Sequence, residues 1–562
     1  SFQPKVIAPE DGAWAESMRR WKAAASELCR RGIFRAASSV SVLSGFGQVF
    51  NTESIVDFRS TTPVTDVDAF VSHSWSSGRW ERYLTVCYFL NLGLAAKAML
   101  ASVVLSNSFM LICPDLSIHI VFWFLLDFPI CVFFLVFFFG QHLTCGVLGP
   151  RFWVDRLCVD QTDETTKSEG IAGLRTIVAN SSQMLVLWDK SYFERLWCNF
   201  ELSIFVKSHG LEHLRLVPLW LTSWLLTTML LSYVSARLVA VLTELDASII
   251  MNNNSGFQGV EGGALVFGLR RMAEYALQAQ GYALLCAPPM LVGFVSFQRK
   301  LDGHRDMLES MASFDVRNAE CAVERDRFVI EAQVAELFDG LEDPIITVPI
   351  EVEKSGEGDD ERQELIDLPL TYSARLAVRS VTGFANHEDC LEEFNRYVRG
   401  PLRDAVVEDL GDVTDIPYAA CLLAMFPWAL SLAPITWVLR PTLYASGFRS
   451  DFEYFAVTLT ENLFITLVSP AAYPCLLRCV KYLDESFDRG LLRNAAACGC
   501  GCLTFSVMQL ECSVTAASLE SFVISQHPAF LVFYVLAVVA AMFQHYMLFG
   551  TGQQKSSREV GM

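Results

Sequence analysis

The sequence predicts an α-helical multi-pass membrane protein of about eight spans, with an α/β parallel-sheet domain assembled from separated segments. Three observations lead there. The chain of 562 residues is 52% hydrophobic and only 19% charged, with a mean hydropathy of +0.34, a balance that suits a bilayer rather than water. Apolar runs of span length recur along it. Between them, short apolar runs alternate with stretches of helical periodicity, the order of a parallel sheet with crossover helices. A net charge of −19 argues against a nucleic-acid partner, which would need a basic face. The 17 cysteines are odd in number and follow no framework spacing, so they read as reduced thiols. The opening stretch "SFQPKVIAPEDGAWAESMRRWKAAASELCRR" is polar and basic, without a secretory pattern.

The expected spans cover residues 86–112, 117–140, 216–242, 276–297, 417–439, 453–476, 491–512 and 526–549. The first two turn tightly around Pro114. The seventh carries Arg493 and the thiols Cys498, Cys500 and Cys502 at a spacing of two. That spacing scatters the thiols around a helix, so close helix approach through small residues is the better reading than a metal site. The organisation that follows is an N-terminal helical region (1–66), a first strand segment (67–82), a membrane hairpin (83–142) and a second α/β segment (143–219). Then come a second hairpin (216–297), a helical region (298–415), a four-span bundle (416–549) and a tail (550–562).

An even number of crossings puts both termini on one side, together with 1–82, 143–215 and 298–415. These stretches hold most of the Lys and Arg, so that side is the cytoplasm. Asn253 opens a glycosylation sequon on the opposite face, although Asn180 opens another on the cytoplasmic one. The acidic stretch "EVEKSGEGDDERQELID" (351–367) reads as a solvated loop.

The polar stretches contain strand signals. "VDAFVSHSW" (67–75) is a short apolar run ending in small polar residues, as in a buried parallel strand running into a loop. "RFWVDRLCVDQ" (151–161) reads as a second strand followed by a charged loop, "GIAGLRTIVANSS" as a helix, "QMLVLW" (183–188) as a third strand and "HLRLVPL" (213–219) as a fourth. In "SYFERLWCNFELSIF" (191–205), Ser191 and Glu194 have capping-box spacing. Behind them Phe193, Trp197, Phe200 and Ile204 form a helical stripe with Glu201 at its border. Ligands of such sheets bind beyond the carboxyl ends of the strands. Those ends carry Ser72, His73 and Trp75 on the first strand, and Asp155 and Arg156 on the second.

"DAFVSHSW", "WVDRLCVDQ", a helix beginning "GI" and "SSQMLVLWDKSYFERLWCNFEL" together resemble a TIR-type domain, and "WVDRLCVDQTD" also resembles the related HET domains. The resemblance implies a flavodoxin-like parallel sheet. It departs from the family in placing a membrane hairpin between the first two strands. Residues 313–338 would supply the last strand and helix. TIR domains act as assembly modules, through TIR–TIR self-association, or as enzymes that cleave NAD. In the catalytic ones the essential carboxylate follows a Trp-Cys pair on the helix after the third strand, a position that Glu201 matches. No cofactor is implied; NAD is the substrate. One carboxylate suffices because nicotinamide leaves as a neutral group, whereas ordinary O-glycosidases need two.

Each candidate has a plain structural alternative. Glu201 would otherwise be a boundary residue of an amphipathic helix, with its carboxyl raised in pKa by apolar neighbours. His73 would contact a phosphate or ribose, or close the strand end through a backbone hydrogen bond. Trp75 and Trp80 would stack on an adenine or nicotinamide ring, or pack as aromatics at the membrane boundary, while Trp197 and Phe205 would shield the Glu201 site from water. Arg156 would hold a diphosphate by its bidentate fork, or pair with Asp155 or Asp160. Within the spans, Lys97 and Asp127 lie about eleven and thirteen residues in, about 16 and 20 Å at helical rise, and so are expected to pair. Glu461 has no evident partner and marks a polar cavity. A channel or transporter with a TIR-like regulatory domain is therefore a competing reading.

Overall fold

The computed structural model describes residues 22–51, 54, 58–113, 116–160, 164–252, 263–285, 287–321, 324–338, 387–411, 413–444, 446–487 and 490–556. The Pro114 turn, the Asn253 sequon and the acidic stretch 351–367 lie outside these residues. The chain divides into two compact units, one formed from 1–90, 141–219 and 303–409, the other from 91–140, 220–302 and 410–562.

Four parallel strands organise the first unit: β1 (Val67–His73), β2 (Phe152–Trp153), β3 (Ser181–Trp188) and β4 (Leu214–Pro218). Their order is β2-β1-β3-β4, the beginning of the doubly wound 2-1-3-4-5 order, whose switch point lies at β1. The apolar runs of β1 and β3 are buried along most of their length, as central parallel strands require. β2 is shorter than its sequence suggests, because Asp155–Cys158 turns into a short helix. Two devices hold this short strand in register. The Arg151 N–H donates to Asp68 Oδ2 at 2.7 Å, across 83 residues of chain. Its outer edge is closed by Ala37, which exchanges two backbone hydrogen bonds of 2.8 Å with Phe152, so no bare strand edge is left there.

Helix α1 (Glu164–Ala179) leads from β2 to β3, and α2 (Leu196–His209) from β3 to β4. Both connections step the same way across the sheet, so right-handed crossovers place both helices on one face, and they pack against each other. The stretch expected as a charged loop is helical from Glu164 onward. Its Glu, Lys and Ser residues oppose a helix only weakly.

The capping box at Ser191 does not form. Tyr192–Glu194 is a single 3-10 turn, and α2 begins at Leu196 without a side-chain cap. The Glu320 carbonyl takes the Leu196 N–H at 2.9 Å instead, and the Glu320 N–H returns to the Glu194 carbonyl at 2.7 Å. Thus the expected last strand from residue 313 is reduced to one bridge between Arg195 and Glu320. The helix expected after it is present as α3 (Glu324–Leu337), which packs on α2 and on α4 (His387–Tyr397).

The second unit is helical. Seven described helices are long and apolar enough to cross a membrane: Arg79–Ile112, Ile118–Leu143, Leu219–Leu242, Tyr418–Leu439, Asp451–Ser486, Arg493–Ser525 and Pro528–Phe549. The protein is an integral multi-pass membrane protein on this basis. Large apolar side chains such as Val532, Leu536, Val539, Met542 and Phe543 are exposed along the last of these, and a bilayer is the solvent that accommodates them. The expected span at 276–297 is not among the seven. Its residues divide between the helices Gly263–Leu285 and Ala287–Ala312. Arg270, Arg271 and Glu274 lie on the first, and Pro288 and Pro289 fall in the first turn of the second, where a missing N–H costs little.

Lys97 and Asp127 do not pair. Lys97 is exposed on its helix. Asp127 accepts a 2.8 Å hydrogen bond from the Tyr233 hydroxyl and faces Arg237 at 3.7 Å. Depth along two helices is countable from sequence, but rotation about their axes is not. Asp127 closes a π-helical turn, Trp123–Asp127, which shifts the face it presents.

Candidate functional site

The carboxyl end of β1 meets the second turn of α2. Ser72, buried on β1, donates its hydroxyl proton to Glu201 Oε2 at 2.5 Å, and the Tyr192 hydroxyl lies 2.7 Å from the same Ser72 oxygen. Tyr192 also reaches the Cys198 carbonyl at 3.5 Å. Glu201 and the end of β1 are therefore in direct contact. Glu201 is half-buried, and its carboxyl is pushed up to about 8. Burial is the main cause, the Ser72 hydrogen bond works against it, and the negative charge of Asp155 adds to it. At neutral pH the carboxyl is mostly protonated. Burial likewise holds the Cys198 thiol well above its usual value, so this cysteine is not a thiolate nucleophile.

A second group of contacts surrounds Trp75. Its indole N–H donates to Asp155 Oδ2 at 3.1 Å, and the Arg82 and Arg156 guanidiniums lie 4.8 and 5.7 Å from its ring, a cation–π arrangement. Asp155 Oδ1 accepts the Arg156 N–H at 2.7 Å. The Arg156 guanidinium is committed to backbone carbonyls, to Asn51 and, at 2.8 Å, to Ser54. It is thus neither the open diphosphate fork nor the partner of Asp155 or Asp160 that the sequence suggests.

His73 joins the two groups, its carbonyl accepting the Cys198 thiol at 3.6 Å. Its ring meets Trp75 edge-on at 4.6 Å and Phe50 at 5.6 Å. Burial drives its pKa down to about 4 against the pull of Asp155, so the ring is neutral. Its Nε2 is buried without a hydrogen-bond partner among the described residues. Trp197 stands outside this network, edge-on to Phe200 at 6.0 Å. Six of the seven sequence candidates therefore form one continuous constellation, and Trp197 does not join it.

Sequence reading missed two members. Tyr192 is fully buried against Ser72. Asp189 accepts the Ser191 N–H and hydroxyl at 2.9 and 2.7 Å, and the Ser76 hydroxyl at 3.2 Å. Asp189 directly follows β3, so the strand-end rule applied to β1 and β2 would have reached it. No group of three His, Cys, Asp or Glu among the described residues is placed to hold a metal ion.

No family model, curated protein or solved structure matches the chain. The sheet, the constellation at its carboxyl edge and the apolar helices define an integral membrane protein with a small α/β unit built on a four-stranded parallel sheet.

Proposed function

We propose that this is a membrane-anchored TIR-like signalling protein whose first unit faces the cytoplasm and that it hydrolyses NAD at the nicotinamide–ribose bond. The observation that carries the reading is the placement of Glu201 on the first helix turn but one after the third-strand loop, with its carboxyl at the end of β1 against Ser72. In the reaction the C1′–N bond breaks and its electron pair passes to the nicotinamide ring, which leaves neutral. Ionised Glu201 stabilises the cationic ribosyl centre. Water then adds to C1′ and loses a proton to solvent.

Because the carboxyl is held near 8, NAD cleavage by the purified full-length protein should rise with pH up to about that value. Nicotinamide release, followed by chromatography from pH 6 to pH 9, tests this, and a wild-type protein with no turnover across that range refutes it. The second reading is a TIR assembly scaffold. It is favoured by the same Ser72–Glu201 bond, since a carboxyl already occupied serves as a structural tie. Self-association without turnover would select it.

The cytoplasmic assignment has its own test. Single cysteines placed near residues 60 and 165 should label from one side of sealed vesicles, and one near 255 from the other. Labelling of 60 and 165 from opposite sides contradicts an α/β unit assembled across a membrane hairpin.

A further inference from the structure

The second unit carries a buried carboxyl that the α/β site does not explain. Glu461 lies on Asp451–Val468, about ten residues and thus about 15 Å from the start of its helix. It is 8% exposed, and its Oε1 is buried with no hydrogen-bond partner among the described residues. Its neighbour Glu520, on Leu491–Ser525, is 3% exposed and fully engaged. One oxygen takes the Arg271 Nη2 proton at 2.6 Å, and the other takes the Tyr275 hydroxyl at 2.5 Å. Arg271 keeps a second donor, Nε, buried without a partner among the described residues.

The charges do not balance. Glu461, Glu520 and Arg271 interact electrostatically, and they comprise two carboxyls and one guanidinium. The other titratable groups within reach of Glu461 are Tyr275 on Gly263–Leu285, Tyr534 on Pro528–Ser556 and Tyr454 on its own helix. Tyr454 donates to the Thr436 carbonyl at 2.7 Å, so its proton is spent elsewhere. The helix Tyr418–Leu430, also packed on Asp451–Val468, brings Cys421 and Tyr418, whose hydroxyl is spent on the Leu467 carbonyl at 2.9 Å. Among the described residues, Arg271 is the one cation that acts on Glu461. An unpaired carboxylate in hydrocarbon is too costly to persist, and a leucine would serve packing better.

We infer that Glu461 is an exchangeable proton site inside the membrane bundle and that protons cross the bundle through it. Glu520, bound by Arg271 and Tyr275, supplies a negative field beside Glu461. The O–H bond made when water delivers a proton from one side is the bond broken when water removes it on the other. Nothing is oxidised or reduced.

The full-length protein in liposomes, with a pH-sensitive dye inside and membrane potential clamped, tests this. After an external acid step, the wild type should acidify the interior at least tenfold faster than protein-free liposomes, Glu461→Gln at the background rate, and Glu461→Asp in between. Wild-type flux at background, or Glu461→Gln flux equal to wild type, overturns the proposal. So does sodium or potassium flux in the absence of proton flux. Should the glutamine variant fail to insert, dicyclohexylcarbodiimide, which modifies protonated carboxyls in apolar surroundings, decides the question on the wild type. Modification of Glu461, read by mass spectrometry, should stop the flux, and flux that survives it refutes the site.

Discussion

Glu201→Gln is expected to cut NAD cleavage by at least about 100-fold, the scale of losing one transition-state electrostatic contact, while making the first unit more stable above pH 7. The two effects have one origin. An anionic carboxylate is needed opposite a cationic ribosyl centre, and burial against β1 opposes that anion. The carboxyl titrates at its ordinary 4.5 in the unfolded chain and at about 8 in the folded one. Between those values the folded state keeps a proton that the unfolded state has released, so wild-type stability falls as pH rises through that window. Glutamine does not ionise and keeps an oxygen for Ser72. At pH 7 the full difference is ~3 kcal/mol at 1.36 kcal/mol per unit. Water reaching a half-buried carboxyl reduces it to about 2 kcal/mol. Thermal unfolding of the detergent-solubilised chain at pH 5 and pH 8 reads this directly: the variant should gain on the wild type at pH 8 and match it at pH 5. Equal pH profiles would mean that Glu201 is well solvated. Unchanged NAD cleavage would remove its catalytic role whatever the profiles show.

The parts of this molecule that were legible in sequence are those decided locally. β1 and β3 announce themselves as apolar runs because parallel strands bury both faces, and Ser72, His73 and Asp155 are found by the rule for strand ends. Contacts chosen by distant partners were not legible. Ser191 has the spacing of a cap, but Asp189 and Ser74 claim its hydroxyl, and the open N–H of Leu196 is met by Glu320, more than a hundred residues further on. The same limit applies in the second unit. Asp127 was recognisable as an ionisable residue in a span, yet its partners Tyr233 and Arg237 depend on how helices rotate against each other. Glu520 escaped because its expected span ended at 512, whereas its helix runs to Ser525.

Arg271→Leu is expected to be the most destabilising single substitution in the second unit, lowering stability by about 3–5 kcal/mol, the usual cost of stranding one partner of a buried ion pair. Glu520 would keep Tyr275 but lose Arg271, its one cation among the described residues, and would be left beside Glu461. The double variant Arg271→Leu/Glu520→Leu removes the stranded charge along with its partner. Apolar replacement of a whole buried pair is often neutral, so the double variant should recover most of the loss despite carrying more changes. The thermal midpoints of the wild type, both single variants and the double variant, in one detergent, supply the double-mutant cycle. Losses that simply add would show that Arg271 and Glu520 act independently. Recovery would place them in one buried unit whose only uncompensated member is Glu461.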